Sequence, residues 1–138
     1  MPAKPETNLY NRIKDNLSNC LITRVESRVN LGIPDCFLAF RNGEFVPVEL
    51  KVVKHGRKVR LSPHQVAYHM RHAQNGNRTF ILVEYKPPRT IKDDPRLMLF
   101  RGSQAMELLQ SGIDTTPVIS WHSHAVMWRI LQMELEQS

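Results

Sequence analysis

The stretch GIPDCFLAFRNGEFVPVELK, residues 32–51, sets Asp35, Glu49 and Lys51 around two short apolar runs, where a sheet would keep its core. Two carboxylates a few ångströms apart repel each other and need a cation to stay ionised. Hard carboxylate oxygens, joined by one backbone carbonyl such as that of Leu50, suit Mg²⁺ with Mn²⁺ as a substitute. Such an ion keeps several waters and takes further ligands from phosphate; it lowers the pKa of a bound water and neutralises charge building on phosphorus-bound oxygen. A lysine beside it orients that water or stabilises the same charge. An acid, a spacer and Glu-x-Lys form a weak pattern alone; the alternative is a hairpin with ordinary solvated charges. The setting gives the pattern weight.

That setting is a predicted β-hairpin. DCFLAF and FVPVELKVV are rich in aromatic and β-branched residues, and Asn42-Gly43 between them is a turn signal. Pro47 inside the second run predicts an edge position or a bulge. Residues two apart on a strand share a face, so Glu49 and Lys51 point together, away from Val48, Leu50 and Val52. Register decides whether Asp35 joins them. A two-residue turn pairs Arg41 with Glu44 and puts Asp35 opposite Leu50, on the wrong face. A three-residue loop, or one bulge near Pro47, shifts the pairing by one and brings Asp35 across from Glu49 or Lys51. The shifted register is predicted, because only it makes the charges converge.

The remaining elements must hold this hairpin. A first helix is expected over about 6–18, with Leu9, Tyr10, Ile13 and Leu17 at helical spacing and Glu6 on its inward face at the first turn. Glu6 there serves either the helix dipole or a site. LITRVES (21–27) alternates like a strand. LSPHQVAYHMRHAQNG (61–76) reads as a helix with Ser62 as N-cap, Pro63 at N1 and Gly76 as its stop. RTFILVEY (78–85) is an apolar strand of the buried kind, RLMLF (96–100) another strand, and 86–95 a polar loop. SQAMELLQSG (103–112) is a short helix with a serine cap, and SHAVMWRILQMELEQS a final amphipathic helix. The fold class is therefore α/β or α+β, a mixed central sheet flanked by helices. One domain is expected over 1–138, with a core over about 6–100 and a helical extension over about 103–138.

The chain carries +6 at neutral pH with a pI near 9.7, which favours a polyanionic partner. KVVKHGRKVR (51–60) concentrates the charge, and Gly56 makes it a turn rather than a helix face. Lys54, Arg57, Lys58 and Arg60 are candidate phosphate contacts there, against the plainer reading of a solvated loop. No apolar run approaches the roughly 18–20 residues that span a bilayer, and MPAKPETNLY lacks the apolar stretch of a signal peptide, so a cytoplasmic protein is expected. Cys20 and Cys36 have neither CxxC spacing nor a disulfide-dense context and are expected to be reduced.

Gly32-Ile33-Pro34-Asp35, thirteen intervening residues, then Glu49-Leu50-Lys51 resembles the PD-(D/E)xK nuclease superfamily. Within it the likeness is to the VRR-NUC and archaeal or phage Holliday-junction-resolvase-like branch. That branch has a first-helix glutamate, a strand before Gly-x-Pro-Asp, then Glu-x-Lys, then a helix with a glutamine. The positions that match are Glu6, Asp35, Glu49, Lys51 and Gln65, and the resemblance runs over about 6–85. It implies a restriction-endonuclease-like core and a metal-dependent DNA endonuclease leaving 5′-phosphates. Asp35, Glu49, Lys51, Glu6 and Gln65 would be its catalytic residues, and Asp35, Glu49, Leu50 and Glu6 its metal ligands. Arg24, Arg28 and His64 join the basic loop as candidate DNA contacts, and Ser27 is a looser match to a serine that resolvases carry before the aspartate.

Rival readings are a nucleic-acid-binding module without catalysis, a nonspecific or nicking nuclease, and an interaction subunit. Zinc at His64, His69, His72 or the His122-x-His124 pair lacks any cysteine pair or HExxH spacing. Trp121 and Trp128 lie among aliphatics and read as core or a dimer seam rather than a base-stacking platform. Without a helix-turn-helix or zinc finger, recognition by DNA shape is expected, on branched or junction-containing DNA. Paired cuts favour a homodimer, for which the apolar stripe Val126, Met127, Ile130, Leu131 and Leu135 is a candidate surface.

Overall fold

The computed structural model describes residues 5–25 and 32–137. Ser27 and Arg28 lie outside them. Helix α1 (Pro5–Asn16) leads to β1 (Cys20–Arg24), β2 (Cys36–Phe40) and β3 (Phe45–Val53). Helix α2 (Pro63–Gln74) crosses to β4 (Phe80–Tyr85), followed by β5 (Arg96–Arg101), α3 (Ala105–Ser111), β6 (Ile119–His122) and α4 (Trp128–Glu136). The strands form a six-stranded sheet in chain order, antiparallel except for the β3–β4 pair that α2 connects. The mixed sheet flanked by helices is the architecture that the sequence predicts.

Alternation along the strands gives the sheet two apolar faces. On one, Leu38, Val48, Leu50, Leu82 and Leu99 pack with Leu9 and Ile13 of α1 and Leu131 and Leu135 of α4. On the other, Ile81, Val83, Met98 and Phe100 pack with Val66 of α2 and with Ala105 and Leu108 of α3. Arg12 pins α1 to the first face by bonding Glu84 of β4 at 2.9 Å and Ser123 after β6 at 3.1 Å.

Three expectations need correcting. The C-terminal part is not wholly helical: Ile119–His122 is a strand that pairs Leu97 with Trp121, and α4 starts only at Trp128. The α4 stripe is also not a spare surface, because Leu131 and Leu135 are fully buried in the protein's own core and Val126 packs against it. Only Met127, Ile130 and Met133 remain exposed there, so that stripe no longer argues for a dimer seam. Finally, Ser103 does not cap α3, which follows a 3₁₀ turn at Gly102–Gln104 and has Gln104 at its N-cap without a side-chain bond.

Pro47 sits within a central strand, yet at a point where it has a neighbour on one side only. The Phe40 N–H to Glu44 carbonyl bond makes 40/44 a hydrogen-bonded pair, so 37/47 is a non-bonded one and the Pro47 nitrogen faces away from β2. On that other side β4 joins only from Val48 onward. The missing N–H therefore costs no ladder bond.

Candidate active site

The hairpin turn sets the register. Gly43 N–H bonds the Phe40 carbonyl at 3.0 Å and Gly43 takes φ 91°, so Arg41-Asn42-Gly43 is a three-residue connection between Phe40 and Glu44. Pairing then runs Ala39 with Phe45, Phe37 with Pro47 and Cys36 with Val48. One step further, Asp35 falls opposite Glu49 on the face that also carries Lys51. The predicted one-residue shift is present, through the turn and without a bulge at Pro47.

Each side chain of the group is held. The Leu50 N–H donates to Asp35 Oδ2 at 2.7 Å, and the Val25 N–H to the Asp35 carbonyl at 2.8 Å. The same alternation turns the Leu50 carbonyl toward the side where β2 has not yet begun, beside Asp35. Lys51 Nζ donates to Gln65 Oε1 at 3.0 Å. Gln65 is in turn part of the α2 capping box: its Oε1 accepts the Ser62 N–H at 2.9 Å, and its own N–H donates to Ser62 Oγ at 3.1 Å. Gly32, at φ 79°, lies so near α2 that a Cβ there would stand 2.2 Å from the His64 carbonyl oxygen. Only glycine allows the segment before Asp35 to meet the helix that presents Gln65.

Glu49 is the unusual residue. It is 1 % exposed, and its Oε1 is buried without a hydrogen-bond partner. Burial, above all, raises its pKa; hydrogen bonding with Asp35, the Asp35 charge and the Glu6 charge add to the rise, while Lys51 opposes it. Glu49 thus favours its protonated form beside Asp35, and a cation bound there would replace that proton. An orphaned carboxylate oxygen, a second carboxylate whose other oxygen is fixed by an N–H, and a strand carbonyl form a donor set that fits a hard divalent ion. Glu6, half-buried in the first turn of α1, contributes the smallest of the charge effects on Glu49. Among the described residues no three His, Cys, Asp or Glu side chains stand close enough to hold a metal together, so Glu6 is not gathered into a triad.

Of the candidate DNA contacts, Arg28 is not described. Arg24 is exposed, bonds Thr7 Oγ1 at 2.7 Å and stacks over Tyr10. Lys54, Lys58, Arg60 and His64 are exposed and, among the described residues, form no ion pair. Arg57 is different and corrects the expectation for it. Its guanidinium bonds Asp114 at 2.6 Å and Asp93 at 3.1 Å, and its carbonyl accepts the Ile113 N–H at 2.9 Å. Arg57 ties the basic loop to the segment after α3 rather than offering its donors outward.

Among the described residues the histidines join no group of three His, Cys, Asp or Glu placed to hold a metal. His69 is fully buried, with Nδ1 at 2.7 Å from Thr79 Oγ1. Burial, then the nearby His72 and Lys51, push its pKa down to about 4. A base with a depressed folded pKa takes up more protons when unfolded, so its contribution is complete above pH 6.5 and fades as pH falls toward 4. His69→Gln is expected to flatten the loss of stability between these values, by on the order of 3 kcal/mol over the full interval. Urea unfolding at pH 7 and pH 4.5 checks this, and an unchanged difference between the two would refute it. Both cysteines are free, and burial together with the Asp35 and Glu49 charges raises Cys36 to about 12, a buried inert thiol.

Comparison with known proteins adds a likeness of shape. A solved structure similar to this chain is that of Hjc, a Holliday junction resolvase from the archaeal hyperthermophile Archaeoglobus fulgidus. The two share 18% identity over 72% of this chain and 75% of that one, at a TM-score of 0.44. No family model and no curated protein matches the chain.

Proposed function

We propose that this protein is a divalent-metal-dependent DNA endonuclease, with Mg²⁺ as the ion and Mn²⁺ able to replace it. The observation that carries this reading is Glu49: a carboxylate 1 % exposed, with an orphaned oxygen, beside Asp35 and on the same strand face as Lys51. A structural hairpin has no reason to bury an unsatisfied acid against a second acid. Asp35, Glu49 and the Leu50 carbonyl would hold the ion. When bound, the ion supplies charge neutralisation at the phosphate and a water of lowered pKa.

The chain's own groups supply the rest. Leu50 N–H holds one oxygen of Asp35 and so fixes its carboxylate beside Glu49. The Lys51 ammonium, steadied by Gln65, orients the attacking water or faces the charge that develops on the scissile phosphate. Lys54, Lys58 and Arg60, on the loop leaving the same strand, grip the backbone on either side. The pI near 9.7 supports a polyanion as substrate.

Supercoiled plasmid incubated with Mg²⁺ or with EDTA tests the activity, and cleavage mapped on a four-way junction beside a linear duplex of the same sequence tests the preference for branched DNA. Binding without cleavage would leave a nucleic-acid-binding module instead. The triple change Lys54→Ala, Lys58→Ala, Arg60→Ala is expected to flatten the salt dependence of binding by roughly one slope unit per lost contact. Arg57→Ala is expected to act through stability instead. A triple variant with an unaltered salt slope would return the loop to solvated surface.

A further inference from the structure

The hairpin continues past the Asp35–Glu49 row, and what it carries there has no part in the reaction described above. On the same face the next row holds Phe37 and Pro47, and the one beyond it Ala39 and Phe45. The Phe37 and Phe45 rings stack with centroids 5.2 Å apart and planes 13° from parallel. Phe45 is 59% exposed, and neither ring belongs to a buried core. Helix α2 supplies Tyr68 and His72, whose rings lie 4.3 Å apart at 31°. With Pro47 and Arg78 these four aromatics line a groove of about 600 Å³. It therefore has an aromatic pair on the hairpin and another on the helix.

We infer that this groove holds an unpaired nucleobase of the strand being cut. The inference rests on the nuclease reading and narrows its substrate to DNA with an unpaired position beside the scissile bond. Three observations favour a base over other occupants. Flat walls of aromatic rings suit a flat aromatic guest, and stacking accepts any base. The groove's one arginine is partly neutralised rather than free to grip a phosphate, since Arg78 lies 3.6 Å from the Glu44 carboxylate and donates to the Glu134 carbonyl at 2.8 Å. Its place is also right. Phe37 and Pro47 each lie two residues from the acids, about 7 Å along a strand, or about two nucleotides from the phosphate at the stacked spacing of a single DNA strand. A base still paired in a duplex cannot enter such a groove without leaving its partner.

The test uses the whole chain in EDTA, with fluorescence anisotropy on two labelled oligonucleotide substrates of the same sequence: a perfect duplex and one carrying a single-stranded flap. Phe45→Ala is expected to weaken flap binding about tenfold, the scale of one lost stacked base, and to leave duplex binding within twofold. Phe45→Tyr keeps the stacking ring and should bind the flap as the natural protein does, which separates stacking from a folding defect. Equal weakening on both DNAs, or none on either, removes the groove while the nuclease reading stands. A natural protein that binds neither DNA removes both. Light scattering that finds Phe45→Ala monomeric and the natural protein dimeric would assign the groove to a second copy and overturn the proposal.

Discussion

Glu49→Gln is expected to abolish cleavage, by on the order of a thousandfold or more, and at the same time to stabilise the metal-free protein at pH 8. The first effect is the loss of the several kcal/mol of charge stabilisation that an ion at this position supplies. The second follows from linkage. Folding raises the Glu49 pKa, so between its ordinary value of 4.5 and the raised one the folded state binds more protons than the unfolded state. Stability is then fullest below 4.5 and is lost as pH rises through this window. Between about pH 7 and 8 the opposing slope of His69 has largely ended, and Cys20 and Cys36 are still mostly protonated in both states. Melting in EDTA across that interval should therefore decline for the natural protein. Mg²⁺ should reverse the decline by replacing the Glu49 proton, while Glu49→Gln, more stable by about 1–3 kcal/mol, should respond to neither pH nor Mg²⁺. A metal-free protein with a flat profile, or a Glu49→Gln variant that Mg²⁺ still protects, would exclude Glu49 as a ligand.

Lys51→Ala separates catalysis from metal binding. The ammonium faces Gln65 and belongs to no ligand set, so its loss should lower the cleavage rate by roughly a hundred- to a thousandfold. Because Lys51 draws the Glu49 pKa down, its removal favours the proton on Glu49 slightly, but it also removes a positive charge that repels the ion. These effects oppose each other, and the Mg²⁺ concentration for half-maximal thermal protection should stay within a few-fold. If that midpoint moved as far as the rate does, the lysine would be serving the metal rather than the phosphate.

The hairpin that carries the candidate site is more legible in the sequence than the periphery. The hairpin had two possible registers, and the requirement that Asp35, Glu49 and Lys51 share a face selected the one that the Gly43 turn produces. Capping chemistry in LSPHQ marked the start of α2 to the residue, with Ser62 and Pro63 where the helix needs them. The partners of Arg57 could not be read, since Asp93 and Asp114 lie 36 and 57 residues away and nothing local points to them. Strand β6 is too short to stand out in the sequence, although Ile119 and Trp121 alternating with Ser120 and His122 carry the two-residue period. The apolar residues of α4 look surplus in the sequence, which does not reveal how much sheet a helix must cover.

Gln65 Oε1 accepts two hydrogen bonds, one from the N-cap of α2 and one from Lys51. The first turn of that helix is therefore also the latch of the lysine. Fraying of a single helical turn is among the lowest-energy openings a protein makes, and here each opening would release the ammonium from its anchor. Slow hydrogen exchange at the Ser62 amide should thus report the fraction of time that Lys51 is held in position.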